Sequence, residues 1–546
     1  MPKIIKEYDE KNKVNEEHIV VYFFQEAIDL VLKTYLFLLL VVYPLILKDG
    51  YNGVGDFKFT VYRNISIGTA VIVIPLSIIL LISKIIIYKK NAIRTLISGF
   101  TIMDAFGLLY GTVVVLSYIF TSYDDLGIWG EEGWTMGMMT QIIMLLGYFA
   151  IAHLLEFDKN LLWLFVIGAG AVFALGFINR YGLDPLNTEV KTYSSFISTL
   201  GNINWYAGFY SIMLPIAMTM YWGASNNATK VISMICSFIC FLTGTSNGSN
   251  SCFIAIGVGF LFLFYLSFDE NERINRLFEL LLLLLGGLYF QRIIRVIFKD
   301  SYTYYIDSVS GNLTYTRWSL VGFVFVFGLY LIFRFLCKKK DFKIEKYKWI
   351  RELFTVLIIV VPGTYLLLVG IVTFVSNNRY LRNIPILSNY TFFHYNDAWG
   401  SFRGATWWAG ARAFVEMDFR QKLIGVGPDG FGHYVRNTHD IKMYLDEVFD
   451  GARLTNAHFE LLTVLVNTGL LGLIGYLGLF ISSIRKGILA YIKDKTEINL
   501  VGLSFSAALV CYLCHNIVSF QQCLSTPFVL VVTGLIVSID KTKKRL

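Results

Sequence analysis

Residues 65–83 read ISIGTAVIVIPLSIILLIS. No charged side chain interrupts these nineteen positions. A helix rises 1.5 Å per residue, so the run covers about 28 Å, close to the ~30 Å hydrocarbon thickness of a bilayer. The whole chain has the same character. Of its 546 residues 55% are hydrophobic, only 16% are charged, and mean hydropathy is +0.59. Aromatic residues reach 16%, with 45 Phe and 33 Tyr. A folded protein in water cannot hide that much apolar surface. Lipid is therefore the solvent for most of the chain. The same figures exclude disorder, collagen, a coiled coil and a disulfide scaffold.

Scanning for runs of about 20 apolar residues predicts about 14 spans (12–14), an all-α polytopic membrane protein. The expected limits are 29–47, 65–87, 100–120, 136–155, 161–178, 205–222, 230–245, 251–267, 277–296, 319–336, 353–375, 457–482, 499–517 and 524–539. Residues 1–28 form a polar tail, too long and too acidic for the n-region of a cleavable signal, so the first apolar run is expected to stay as an anchor. Helices 1–11 occupy 29–376, helices 12–14 occupy 457–540, and 541–546 is a second tail. Lys and Arg sort by loop parity. Lys89, Lys90, Arg94, Lys338, Lys339, Lys340, Lys343, Arg485, Lys486, Lys541 and Lys544 fall on one side, and Asp124, Asp125, Glu131 and Glu132 on the other. The positive-inside rule then places both termini in the cytoplasm. The net charge of +8 records this topology and implies no nucleic-acid partner. Of the seven Cys, Cys511 and Cys514 form a CxxC without a second pair. Small packing residues are the default reading, beside a metal or redox one.

One hydrophilic segment, 377–456, breaks the pattern. It is an extracytoplasmic loop of about 80 residues, expected to be partly helical. Trp399, Trp407, Trp408, Phe392, Phe393, Phe402, Phe414 and Phe431 offer it a core. It gathers His394, His433 and His439, with His458 at its membrane end, and Arg outnumbers Lys seven to two. Arg presents a planar fork that binds phosphate bidentately, although a salt-bridged domain is the plainer explanation. Residues 401–416 read as an amphipathic helix in which Arg403 shares a face with Trp407, and Trp408 lies one turn before Arg412. Arg beside Trp fits sugar stacking with anion binding, or equally cation–π packing. Gly425-Val426-Gly427-Pro428-Asp429-Gly430 matches GxGxxG without the strand and helix a dinucleotide fold needs, which leaves a turn or a backbone anion nest. His458 stands at a span start between Asn456 and Glu460. It could accept a proton from a hydroxyl, or only anchor the helix. Asp104, Glu279, Gln141, Asn467 and His515, mostly near span ends, are expected to snorkel or bond between helices.

From His458 the chain runs nine residues past Phe459 to Gly469-Leu470-Leu471-Gly472. This resembles the signature that closes the large loop of the O-antigen ligase and O-antigen polymerase superfamily. Thr199-Leu200-Gly201-Asn202-Ile203-Asn204 looks like that family's Gly-Asn entry into a span. Arg403…Trp408 followed by Gly425-Val426-Gly427 looks like its Arg–Trp…GxG segment, and Asn516–Pro527 fits its final hairpin. The likeness covers about 195–540. There are two departures. Phe459 replaces a polar residue, and Ser246-Asn247-Gly248 stands where the family has Ser-Arg-Gly, so another base, Arg317 or Arg379, is expected to take over. The resemblance implies a GT-C-like, metal-independent, inverting glycosyltransferase without a cofactor. It would polymerise or ligate glycan from an undecaprenyl-diphosphate-linked oligosaccharide onto an acceptor glycan, at the outer face of a bacterial cytoplasmic membrane, for surface polysaccharide biosynthesis. A chain-length regulator is a further partner it admits. In that reading His458 and Arg403 are catalytic, Arg412, Arg379 and Arg317 bind diphosphate, Trp399, Trp407 and Trp408 hold sugar rings, and Gly201, Asn202, Asn204, Gly425, Gly427, Gly469 and Gly472 mark the motifs. A lipid-linked oligosaccharide flippase or other polysaccharide transporter is the competing reading; it predicts repeats of the span pattern.

Overall fold

The structure is a computed structural model that describes residues 2–123, 125–131, 133–188, 195–298, 308–339, 342–377 and 394–545. The described chain is almost entirely helical. Its sole sheet pairs β1 (Phe196–Ile197) with β2 (Gly201–Asn202), antiparallel. The bundle is built from α1 (Ile19–Leu45), α2 (Val54–Tyr88), α3 (Ile102–Ile119), α4 (Met138–Leu154), α5 (Leu162–Asn179), α6 (Ile203–Gly223), α7 (Asn227–Gly244), α8 (Ser251–Leu266), α9 (Asn271–Ile297), α10 (Trp318–Cys337) and α11 (Lys348–Asn377). The loop contributes α12 (Trp399–Glu416), α13 (Phe419–Ile424), α14 (Phe431–Asn437) and α15 (His439–Phe449). The chain closes with α16 (Glu460–Lys493), α17 (Glu497–His515) and α18 (Thr526–Arg545).

Every predicted span lies on one of these helices. Among the described residues, 11 helices are long and apolar enough to cross a membrane. α4 is apolar but shorter. α6 and α18 fall outside the 11 for a physical reason. α6 carries Asn204, Tyr206, Tyr210, Ser211, Pro215 and Thr219 and is buried on nearly all sides by α5, α7, α8 and α17, so it has little need of a lipid-compatible surface. α18 ends in a charged stretch from Asp540 to Arg545. The first helix also differs from expectation. Among the described residues its candidate span runs Ile19–Leu45, and its backbone is helical from Pro2.

The exposed surface is apolar where water would not tolerate it. On α10, Trp318, Phe325 and Phe335 are each more than 60% exposed, as is Ile359 on α11. Such faces need lipid around them. The chain is therefore an all-α multi-pass membrane protein. Several polar residues inside it are paired. Asp104 accepts from the Tyr148 hydroxyl (2.9 Å) and meets His153 (2.9 Å), Glu279 accepts from Tyr330 (3.0 Å), and Gln141 accepts from Tyr110 (2.5 Å). Helix–helix hydrogen bonding is thus the role these groups take.

The described part of the loop is helical and carries a core of its own. Ala409, Ala413, Val426, Phe431, Val435, Ile441 and Leu445 are buried together. This corrects the expected core. Of the residues proposed for it, Phe431 is central and Phe414 packs at the edge, whereas Phe402 and Trp408 are exposed. Phe392 and Phe393 lie outside the described residues. Small alanines on α12 let α14, α15 and α16 approach closely, which larger rings on that face would prevent.

Candidate functional site

The loop end of the bundle is tied together by hydrogen bonds between elements far apart in sequence. The Thr121 hydroxyl donates to the Val426 carbonyl (2.6 Å), the Trp134 indole to Thr455 (2.6 Å), and the Tyr43 hydroxyl to the Cys523 carbonyl (2.8 Å). The buried Lys58 ammonium caps the last carbonyls of α1, donating to Tyr43 (2.7 Å) and Pro44 (3.0 Å). A donor at a helix C-terminus satisfies the orphan carbonyls there. Thr199 donates to the same Pro44 carbonyl (2.6 Å), which brings the Gly201-Asn202 segment to this end.

Arg403 stands at the first regular turn of α12. Gly400, Ser401 and Phe402 before it all have left-handed φ, near +61 to +65°. For Ser401 and Phe402 that conformation costs roughly 1–2 kcal/mol each. The resulting hook points the Gly400 carbonyl back at Arg403 Nη1 (2.7 Å). Nε and Nη2 donate to the Val518 carbonyl at 3.2 and 3.0 Å, in the turn between α17 and α18. Every partner is a main-chain carbonyl; no carboxylate faces this cation among the described residues. Burial pushes its pKa below the usual value. Two of its five N–H groups remain unused.

His458 lies beside it, also with a left-handed φ of 49°. Its backbone N–H donates to the Asn456 side chain (2.9 Å), and its ring meets Phe520 edge-on at 5.2 Å. Burial, reinforced by the Arg403 charge, lowers its pKa from 6.5 to about 4. At neutral pH it is therefore an uncharged base. His458 Nδ1, Trp407 Nε1 and His394 Nε2 are buried without a hydrogen-bond partner among the described residues. The His458 Nδ1 nitrogen is therefore not engaged by a neighbouring side chain or carbonyl among the described residues. Trp407 joins Trp399 (5.4 Å) and Phe459 (5.4 Å) in an aromatic layer that reaches the residue after His458. Phe459, where a polar residue was expected, is thus part of this wall.

The other loop residues are placed differently. Trp408 is on the far side of α12, against Tyr444 at 4.2 Å. Arg412 pairs with Glu416 (2.5 Å) one turn on. Arg317 is exposed at the start of α10 and makes no contact with Arg403 or His458. Arg379 lies outside the described residues.

The glycine motifs are one structure. Gly469, at φ 66° and ψ −171°, breaks α16 and frees the carbonyls of Val466 and Asn467. The N–H groups of Val426 and Gly427 fill them, each at 3.1 Å, and Ser117 also donates to Asn467 (2.8 Å). The GxGxxG stretch is therefore a turn seated on a helix break, with its first amides already used. A Cβ on Gly425 would stand 2.2 Å from the Asn467 oxygen. One on Gly472 would stand 2.2 Å from Thr468 Oγ1. Buried Asp429 accepts from the amides of Glu131 (2.7 Å) and Met136 (3.3 Å), with its pKa raised to about 7 by burial.

Asn202 caps α6, accepting from the Asn204 N–H (2.8 Å), and Asn204 in turn accepts from Ser249 (3.0 Å) in the α7–α8 turn. That turn holds Asn247, where a base was missing. Buried Arg180, just past the end of α5, donates to the Asn247 carbonyl. Sequence reading passed over Arg180, and nothing local to it marks this role. From Asn247 a hydrogen-bonded track runs through Ser249, Ser251 and His515 (3.1 Å) to Asn516 (2.7 Å) and on to the buried Glu460 carboxylate. Glu460 is two residues past His458. Among the described residues no three His, Cys, Asp or Glu side chains are grouped to share a metal ion. No family model and no curated protein matches this chain.

Proposed function

We propose that this protein is a membrane glycosyltransferase that polymerises or ligates glycan carried on undecaprenyl diphosphate. It acts at the outer face of a bacterial cytoplasmic membrane, with 14 GT-C-like spans and both termini cytoplasmic. The observation that carries the proposal is Arg403, a partly buried guanidinium whose hydrogen-bond partners among the described residues are all main-chain carbonyls, beside an uncharged imidazole. The free N–H groups of such a cation stabilise charge growing on a leaving diphosphate. In this reading the second cation is Arg180, supported by its hydrogen bond to the Asn247 carbonyl in the turn where the motif base is missing. His458 Nδ1 accepts the proton of the acceptor hydroxyl. The hydroxyl oxygen bonds to the anomeric carbon as the carbon–phosphate-oxygen bond breaks, which inverts the centre and releases the lipid diphosphate. Trp399 and Trp407 offer rings for a sugar face.

Purified protein in nanodiscs with a labelled lipid-linked oligosaccharide tests this. Longer chains identify a polymerase and transfer to another glycan a ligase. Movement of the label without a new bond means a flippase and refutes the proposal. A further prediction concerns pH. His458 must be unprotonated to act, so kcat/KM should hold from neutral pH down to about 5 and fall through about 4. A bound diphosphate offsets the Arg403 charge, so the acid limb of kcat should lie higher than that of kcat/KM. An acid limb of kcat/KM near 6.5 removes His458 from the base role.

A further inference from the structure

The turn between α17 and α18, residues 516–525, touches both reactive groups. Its Val518 carbonyl takes two of the three Arg403 hydrogen bonds, and its Phe520 ring meets the His458 ring. What holds this turn in place is therefore what decides where the two groups stand.

One side chain is at its root. The Glu460 carboxylate, 1% exposed, accepts from the Tyr476 hydroxyl, the Tyr512 hydroxyl (3.0 Å) and the Asn516 amide. Its own N–H donates to the Asn516 carbonyl (2.9 Å). Tyr512, already donating to Glu460, receives from Thr526 (3.2 Å), whose oxygen also accepts the Gln522 N–H (3.1 Å). Both ends of the turn, Asn516 and Thr526, thus run back to one carboxylate. Three donors converge on it, and only an acceptor-only group satisfies all three. Both carboxylate oxygens are engaged by these donors.

We propose that Glu460 is a positioning residue that locks the 516–525 turn onto α16 and so sets the places of Arg403 and His458. It touches no reacting atom. This rests on the proposed function for its catalytic consequence, but not for the lock itself.

Glu460→Gln keeps size and shape while putting an NH2 among donors. Hydrogen exchange of the full-length protein in nanodiscs should then rise roughly 10- to 100-fold in peptides covering 516–525 and 399–404, matching the loss of one charge-assisted hydrogen bond. Peptides from α3 and α7 should keep their protection. Asn516→Ala removes a single donor and should act in the same direction, more weakly. In the transfer assay Glu460→Gln should lower kcat with KM held, because the misplaced groups act where charge develops. Unchanged exchange at 516–525 overturns the lock. A uniform rise across all peptides overturns positioning in favour of a general loss of stability. If the native protein shows no transfer, the proposed function fails, and the exchange pattern alone decides the lock.

Discussion

Arg403→Ala should reduce glycan transfer by roughly 100- to 1000-fold, the range seen when one donor to a developing oxyanion is removed. The physical reason lies in its partners. A guanidinium held by the Val518 and Gly400 carbonyls keeps its full charge, since no carboxylate among the described residues offsets it. Arg403→Lys separates charge from geometry. Lys restores a cation but not the fork that spans the Val518 oxygen, so recovery should be partial. A second readout follows from the neighbouring histidine. The Arg403 charge is one of the two causes that hold His458 near pH 4, burial being the larger. Arg403→Gln should therefore raise the His458 pKa, which histidine NMR of the nanodisc sample follows directly. The sign is unambiguous: removing a positive neighbour makes protonation easier. Full transfer activity in Arg403→Ala at normal expression would falsify the site assignment.

The second large effect is on folding. Gly469→Val should prevent the GxG turn from seating and destabilise the loop end. The φ/ψ pair at Gly469 lies in a region essentially closed to other residues, with strain of order 1–3 kcal/mol. A Cβ there would also stand 2.4 Å from the Leu423 carbonyl carbon and 2.5 Å from the Ile424 nitrogen. Backbone atoms cannot swing aside as a flexible side chain can, and overpacking adds a further ~1–3 kcal/mol. Together the two effects amount to roughly 2–6 kcal/mol, a large share of the stability of an ordinary domain. Thermal unfolding in detergent should show a clear drop in midpoint. Gly257→Ala, where a Cβ meets open space, should leave the midpoint unchanged. Equal stability of Gly469→Val and the native protein would mean that the α16 break does not support the turn.

Several features were open to reading from residues alone. Membrane spans declare themselves because lipid selects side chains one at a time, and hydropathy sums what it selects. The Arg412–Glu416 pair is four residues apart on one helix, a spacing that local geometry dictates. Glu460 was visible beside His458, but its three donors come from residues 16, 52 and 56 positions away. No local pattern announces such a meeting. Arg180 was silent for the same reason, since its contact with Asn247 joins the end of α5 to a turn 67 residues on.

By itself the sequence determined the solvent, the helical class, the span positions and the loop that gathers Arg, Trp and His. These depend on composition and short-range periodicity, which each residue carries with it. Only the tertiary structure decided which of those polar residues touch one another. It set Arg403 on the α17–α18 turn, put Arg412 into an ion pair with Glu416, joined Arg180 to Asn247, and turned GxGxxG into the plug of a helix break. Hydrogen bonds and burial between distant segments have no signature along the chain, because the partner of a buried group is set by packing and not by neighbourhood in sequence.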